Sequence, residues 1–253
     1  MSGAEPAVAG LLLAAGAGRR MGGPKALIEL DGEPLVRRGI RLLADGGCDP
    51  VVVAVGASAE QVRPLCTGAR VVEAADWETG MGASLRAGLA ALPTVAACVV
   101  ALVDQPRVTA LAVQRLRAAH DAGAVAAVAT YAGERRNPVL LDRSTWPGVT
   151  AVATGDEGAR GWLRAHPELV VEVDCTDAGA PDDLDTPKDL AALEAAAMKL
   201  ENRLPVSIGE AWKGPLDLQR IAPCRPGAPV QKLLAPFLGG LAVLALLVRR
   251  LSR

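Results

Sequence analysis

Residues 11–25 read LLLAAGAGRRMGGPK, an apolar run that breaks into glycines and arginines and ends on a lysine. Such a stretch can hold a phosphate. Gly16, Gly18, Gly22 and Gly23 let the backbone turn N–H groups toward an anion, while Arg19, Arg20 and Lys25 bring positive charge. Neither familiar phosphate loop fits: a Walker loop needs Gly-Lys followed by Ser or Thr, yet Lys25 follows Pro24 and precedes Ala26. A dinucleotide fingerprint needs a small residue where Met21 stands. Asp104 ends the apolar run 98–103 ahead of Gln105-Pro106. A carboxylate there is a natural ligand for the Mg²⁺ that accompanies a nucleoside triphosphate; the alternative is an ordinary turn or cap residue. In D182DLDTPKDL, Asp185-Thr186-Pro187 reads as a helix start, with Asp183 a solvated flanking acid.

Apolar runs alternate with helical patterns along the chain, as a parallel sheet with crossover helices requires. Strands are expected at 8–15, 51–55, 71–74, 98–103, 124–131, 138–141 and 169–173. Helices are expected at 34–44, 58–66, 81–92, 109–122, around 158–165 and at 187–197. Ser58-x-x-Gln61 has the capping-box pattern, and Thr109 stands where a cap belongs. The class is α/β, a doubly wound domain with a mostly parallel sheet. In such sheets ligands lie outside the carboxyl ends of the strands, so the glycine loop and Asp104 share one rim.

The loop L-A-A-G-x-(small)-x-R-M-G-x-x-K resembles the MobA-like nucleotidyltransferases, and within them the CTP:molybdenum-cofactor cytidylyltransferases. The resemblance implies a Rossmann-like nucleotidyltransferase fold over residues 1–197. It implies that the Leu13-Ala14-Ala15-Gly16 backbone touches the nucleobase and that Arg20 and Lys25 bind the triphosphate. Gly18 takes a position often held by serine. Asp104 and Asp185, the latter in an Asp-x-Asp-Thr-Pro element, are implied to hold Mg²⁺, with Mn²⁺ as the alternative. D76WETGMGASLRAGL is similar to a segment bordering the nucleotide pocket, which points to Gly80 and Ser84, although Ala83 replaces a serine. Asn137-Pro138 resembles an acceptor-side segment in which Arg136 replaces a glycine, and 155–160 matches a stretch near the pterin.

At Met198 the character of the sequence changes. Residues 198–227, with Ala-Pro-Cys-x-Pro-Gly at 222–227, resemble the opening of the small helix-grip proteins of the carbon monoxide dehydrogenase G-type family, and the chain then passes to an apolar stretch ending in arginines. The middle of such a domain is missing, so 198–253 reads as a truncated, poorly ordered appendage. It carries nine Lys/Arg against three Asp/Glu, leaving 18 basic and 25 acidic residues before it. An acidic body excludes general nucleic-acid binding. The basic-ended apolar run 233–248 is too short for a confident bilayer span and reads as a weak peripheral anchor or as a packed helix.

The chain of 253 residues is 51% hydrophobic but only 2% aromatic, which predicts a core of small aliphatic side chains. Five scattered cysteines without C-x-x-C spacing, two histidines and no visible leader suggest neither disulfides nor zinc, and a cytoplasmic protein. The expected activity is transfer of CMP from CTP to the terminal phosphate of molybdenum-bound molybdopterin, with release of pyrophosphate. The acceptor phosphate is itself a nucleophile, so no catalytic Ser, Cys or His is needed. An apo molybdenum hydroxylase is the implied downstream partner. The rivals are a GTP-dependent or sugar-phosphate nucleotidyltransferase of the same fold, and a non-catalytic chaperone for the pterin cofactor.

Overall fold

The computed structural model describes residues 7–201. Among the described residues there are nine strands: β1 Val8–Ala14, β2 Glu29–Leu30, β3 Glu33–Pro34, β4 Val51–Val55, β5 Arg70–Glu73, β6 Ala97–Leu102, β7 Ala126–Tyr131, β8 Glu134–Asp142 and β9 Val170–Asp174. The α-helices are α1 Leu35–Asp45, α2 Ala59–Val62, α3 Met81–Ala91, α4 Ala110–Asp121, α5 Trp146–Val152, α6 Arg160–Ala165 and α7 Pro187–Glu201. Strands β2 and β3 form a small hairpin, and the other seven make one sheet in the order β5-β4-β1-β6-β8-β7-β9. The doubly wound α/β expectation holds.

Strand β1 is buried at every position and pairs in parallel with β4 and β6, which is why it reads as an unbroken apolar run. The chain leaves β1 toward β4 and returns after β5 to the far side of β1 as β6. The sheet therefore reverses its winding between β1 and β6, where a crevice opens for a ligand. Two glycine notches fix this strand. Leu11 and Leu12 point to opposite faces; a Cβ on Gly88 of α3 would fall 2.4 Å from Leu11, and one on Gly39 of α1 would fall 2.6 Å from Leu12. The two cores flanking the sheet are built of Leu, Val and Ala, as the composition implies, with Trp146 and Trp162 on the α3 side.

Several local expectations need correction. Strand β8 begins four residues early and runs antiparallel to both β6 and β7, so the sheet is mixed. Its ladder with β7 skips from Val139 to Arg136, leaving Asn137 and Pro138 in a bulge, as a proline without an N–H requires. Ser58 adopts φ 54° and makes no side-chain cap bond, so the capping box does not form, and α2 gives way to a 3-10 turn, Arg63–Leu65. Thr109 precedes α4, but its hydroxyl donates to the Ala178 carbonyl rather than capping the helix. Helix α5, with Pro147 in its first turn, has no counterpart among the expected elements. Helix α7 continues through the expected boundary at 197/198 to Glu201. The appendage beyond it, including the stretches 222–227 and 233–248, lies outside the described residues.

Candidate active site

The glycine loop leaves β1 at the crevice between β1 and β6 and folds back on itself. Gly18, at φ 58°, accepts hydrogen bonds from the Met21 N–H (2.8 Å) and the Gly23 N–H (3.3 Å). A Cβ at Gly18 would fall 2.0 Å from the Gly23 carbonyl oxygen, so the serine common at this position elsewhere has no room here. The expectation of four glycines cradling an anion therefore narrows. The Gly22 N–H donates to Arg19, so the second half of the loop spends its donors internally. Among the described residues, the Gly16 and Gly18 N–H groups donate to no backbone carbonyl. Of the four glycine donors, those two are left for a phosphate.

Lys25, which follows the loop directly, brings the site together. Its Nζ donates to Asp104 Oδ2 at 2.8 Å and to Asp185 Oδ1 at 2.6 Å, joining residues 79 and 160 positions away in sequence. Burial opposes the lysine charge, but the hydrogen bonds and charges of the two carboxylates outweigh it and hold the Lys25 pKa above its ordinary value. Arg20 stands 3.7 Å from Asp185 and is 78% exposed, a loose pair that leaves its guanidinium free to swing. Asp104 lies just past β6 and serves no helix cap.

Asp185 is freed from capping as well, because Thr186 and Asp189 cap the helix together. The Asp189 carboxylate accepts from the Thr186 N–H at 2.7 Å and from the Thr186 hydroxyl at 2.9 Å. The Asp185 N–H adds a third bond to Asp189 at 3.1 Å. These bonds hold the Asp189 carboxyl below the usual carboxylate range. Asp183 is exposed, as expected, but it is not free of the protein. Gln105, 6% exposed, donates to Asp183 Oδ1 at 2.9 Å and to the Pro181 carbonyl at 3.2 Å. The Leu184 N–H donates to the Asp104 carbonyl at 2.8 Å. Desolvation, reinforced by the charges of Asp104 and Asp185, pushes the Asp183 pKa up. Gln105 therefore ties the loop that carries Asp185 to the end of β6. Nothing in its type or spacing announced this, because its partners lie 76 and 78 residues away.

The remaining expected residues divide. Leu13, Ala14 and Ala15 lie at the crevice, but the Leu13 carbonyl accepts from Val103 at 3.1 Å and the Ala15 carbonyl from Ala57 at 3.0 Å. A base amine would have to use the second lone pair of either oxygen. Asn137, at the β8 bulge, lines a small surface pocket with Leu13, Met81, Leu102 and Arg160. Gly80 has a packing reason: a Cβ there would fall 2.4 Å from the Gly155 carbonyl carbon. Ser84 is 4% exposed within the first turn of α3. Four cysteines are buried, and burial pushes the Cys48 thiol up to about 12, far from a thiolate nucleophile.

A divalent cation suits this donor set. Lys25 Nζ stands in for one, since two hard carboxylate oxygens already converge on a single positive charge. Among the described residues no cluster of three His, Cys, Asp or Glu forms a closed cage. Mg²⁺ asks for less, one or two carboxylates completed by phosphate oxygens and water.

Residues 10–170 match the MobA-like NTP transferase domain family. The chain is 40% identical over 197 residues to nicotine blue oxidoreductase of Paenarthrobacter nicotinovorans, covering 74% of this chain and 97% of that one. It is 35% identical over 204 residues to molybdenum cofactor guanylyltransferase of Burkholderia vietnamiensis, covering 74% and 96%. The crystal structure of Rv0371C from Mycobacterium tuberculosis H37Rv in complex with manganese superposes with a TM-score of 0.62 at 27% identity, covering 75% and 99%. The chain therefore belongs to the MobA-like NTP transferase family and is a nucleotidyltransferase.

Proposed function

We propose that the enzyme transfers CMP from CTP to the terminal phosphate of molybdenum-bound molybdopterin. The observation that carries this is the convergence of Lys25, Asp104 and Asp185 on one point beside the glycine loop. An oxygen of the acceptor phosphate attacks the α-phosphorus; the new P–O bond forms as the bond to the bridging oxygen breaks, and pyrophosphate leaves with that electron pair. The acceptor is already an anion, so no side chain has to remove a proton. Asp104 and Asp185 would hold Mg²⁺ or Mn²⁺, which when bound would neutralise charge on the phosphate oxygens. Lys25 would turn its three N–H donors to the phosphates, with Arg20 and the free loop N–H groups beside it. Asn137 and its pocket receive the acceptor.

Ala15 supports cytosine, because its methyl group narrows the space beside the base where guanylyl-type loops carry glycine. The relatives named molybdenum cofactor guanylyltransferase support GTP. Incubation with each NTP, Mg²⁺ or Mn²⁺ and molybdenum cofactor, followed by mass analysis of the dinucleotide, decides. A cytosine dinucleotide with stoichiometric pyrophosphate supports the proposal; preferential use of GTP replaces the base, and no pyrophosphate with any NTP ends it. A second reading, a redox activity, is favoured by the 40% identical relative named nicotine blue oxidoreductase. Oxidation of a reduced nicotinamide without pyrophosphate release would mark it. The product passes to an apo molybdenum hydroxylase, and the tail at 233–248 adds a weak peripheral membrane contact.

A further inference from the structure

Aromatic side chains are scarce in this chain, which has four Trp, one Tyr and one Phe. Trp146 and Trp162 are core residues, but Trp77 belongs to neither flanking core and is only half-buried. It opens the 3-10 turn Trp77–Thr79 between β5 and α3. That turn is pinned at both ends: the Trp77 N–H donates to Ala74 at 3.1 Å, the Gly80 N–H donates to Trp77 at 3.1 Å, and the Thr79 hydroxyl donates to Asp76 at 2.8 Å. The side chain lies on Gly56, just past β4. A Cβ at Gly56 would fall 2.5 Å from Trp77 Cγ and 2.6 Å from its Cβ, and 2.9 Å from the Ala15 Cβ. Gly56 is thus the seat that lets an indole lie across the ends of β4 and β1, next to the residue that opens the phosphate loop.

We propose that Trp77 is the nucleobase shelf of this enzyme, and that the indole together with the Ala15 methyl sets the width of base the crevice accepts. The inference rests on the nucleotidyltransferase reading, in which the phosphates lie along the loop from Gly16. From there the base extends over the ends of β1 and β4, where a fixed, partly exposed indole offers an apolar face. An aromatic face stacks any base, and removing it costs about tenfold or more in affinity. With its turn hydrogen-bonded and its Cβ and Cγ seated on Gly56, the same ring also limits depth: a one-ring base fits more easily than a purine. Truncating it is expected to weaken binding of both nucleotides while eroding the preference for CTP over GTP.

The test uses the full chain as wild type, Trp77→Phe and Trp77→Ala, titrated with CTP, GTP and inorganic tripolyphosphate, which has phosphates and no base. Calorimetry gives the affinities, tryptophan fluorescence reports the ring, and thermal unfolding checks the fold. Wild type is expected to change fluorescence with CTP but not with tripolyphosphate. Trp77→Phe should bind CTP within a few-fold and lose most of that signal. Trp77→Ala should lose about tenfold or more for CTP, keep its tripolyphosphate affinity, and show a smaller CTP-to-GTP ratio. Unchanged CTP affinity in Trp77→Ala overturns the shelf, and so does an equal loss for tripolyphosphate, which would mark a structural role. Retained CTP-dependent fluorescence in Trp77→Phe also overturns it. A wild type that binds neither NTP nor tripolyphosphate removes the nucleotidyltransferase reading and the shelf with it.

Discussion

Lys25 in this structure is the counterion of two carboxylates before it is a ligand of any phosphate. Under the proposed function, metal and lysine would compete for the same pair of oxygens. Lys25→Met should therefore bind Mn²⁺ more tightly in the absence of nucleotide, by about fivefold or roughly 1 kcal/mol, as titration followed by electron paramagnetic resonance would reveal. The same variant should lose on the order of a hundredfold in turnover, because the charge meant for the leaving pyrophosphate is gone. Equal Mn²⁺ affinity in both proteins would mean that the lysine does not guard the site. Asp104→Ala should abolish Mn²⁺ binding and turnover together while keeping the wild-type unfolding midpoint. Lys25 and Asp104 were legible in the sequence because charge at the end of an apolar run has few other reasons to be there. Asp183 was legible only in part: it is the exposed acid its composition suggests, but its bond to the buried Gln105 joins positions too far apart in sequence to be read there.

At the level of elements, the start of α7 determines whether Asp185 can face the site. Thr186→Ala removes the hydroxyl that bonds Asp189, and should cost about 1 kcal/mol in chemical denaturation. It should also raise the Mn²⁺ concentration needed for half-maximal turnover, since the carboxylate of Asp185 loses its anchored backbone. The α3 start is set by close approach instead. A Cβ at Gly82 would fall 2.6 Å from the Ala153 carbonyl oxygen, and backbone cannot swing aside as a side chain can. Gly82→Ala should cost roughly 1–3 kcal/mol, measurable as a lower denaturation midpoint. Hydrophobic period alone located β1, β4, β6, α1 and α4, whose apolar faces are long and continuous. It missed α5 and the true extent of β8, because a short helix with Pro147 in its first turn and a strand crossed by Pro138 both break the pattern that identifies them.

For the whole molecule, acid is the informative stress. The Asp142 carboxyl binds the Ser144 N–H at 2.9 Å and the Ser144 hydroxyl at 2.6 Å, and meets His120 Nε2 at 3.0 Å. Burial pushes its pKa up, but these bonds outweigh it and hold it below the usual carboxylate range. A pKa depressed on folding stabilises fully above the unfolded value of about 3.9, and that contribution fades as pH falls through it. The unfolding midpoint of wild type should accordingly drop between about pH 4 and 2, and Asp142→Asn should flatten that slope. The topology was harder to read than the stability, since apolar runs do not reveal strand direction. That direction has a consequence of its own. With β8 reversed, the crevice is entered on one side by strands that end there and on the other by a strand that begins there, preceded by the turn at Ala132-Gly133. Changes in the length or sequence of that turn can remodel the β8 side of the crevice while leaving the glycine loop and both carboxylates in place. One wall of the crevice is thus free to vary while the other is held.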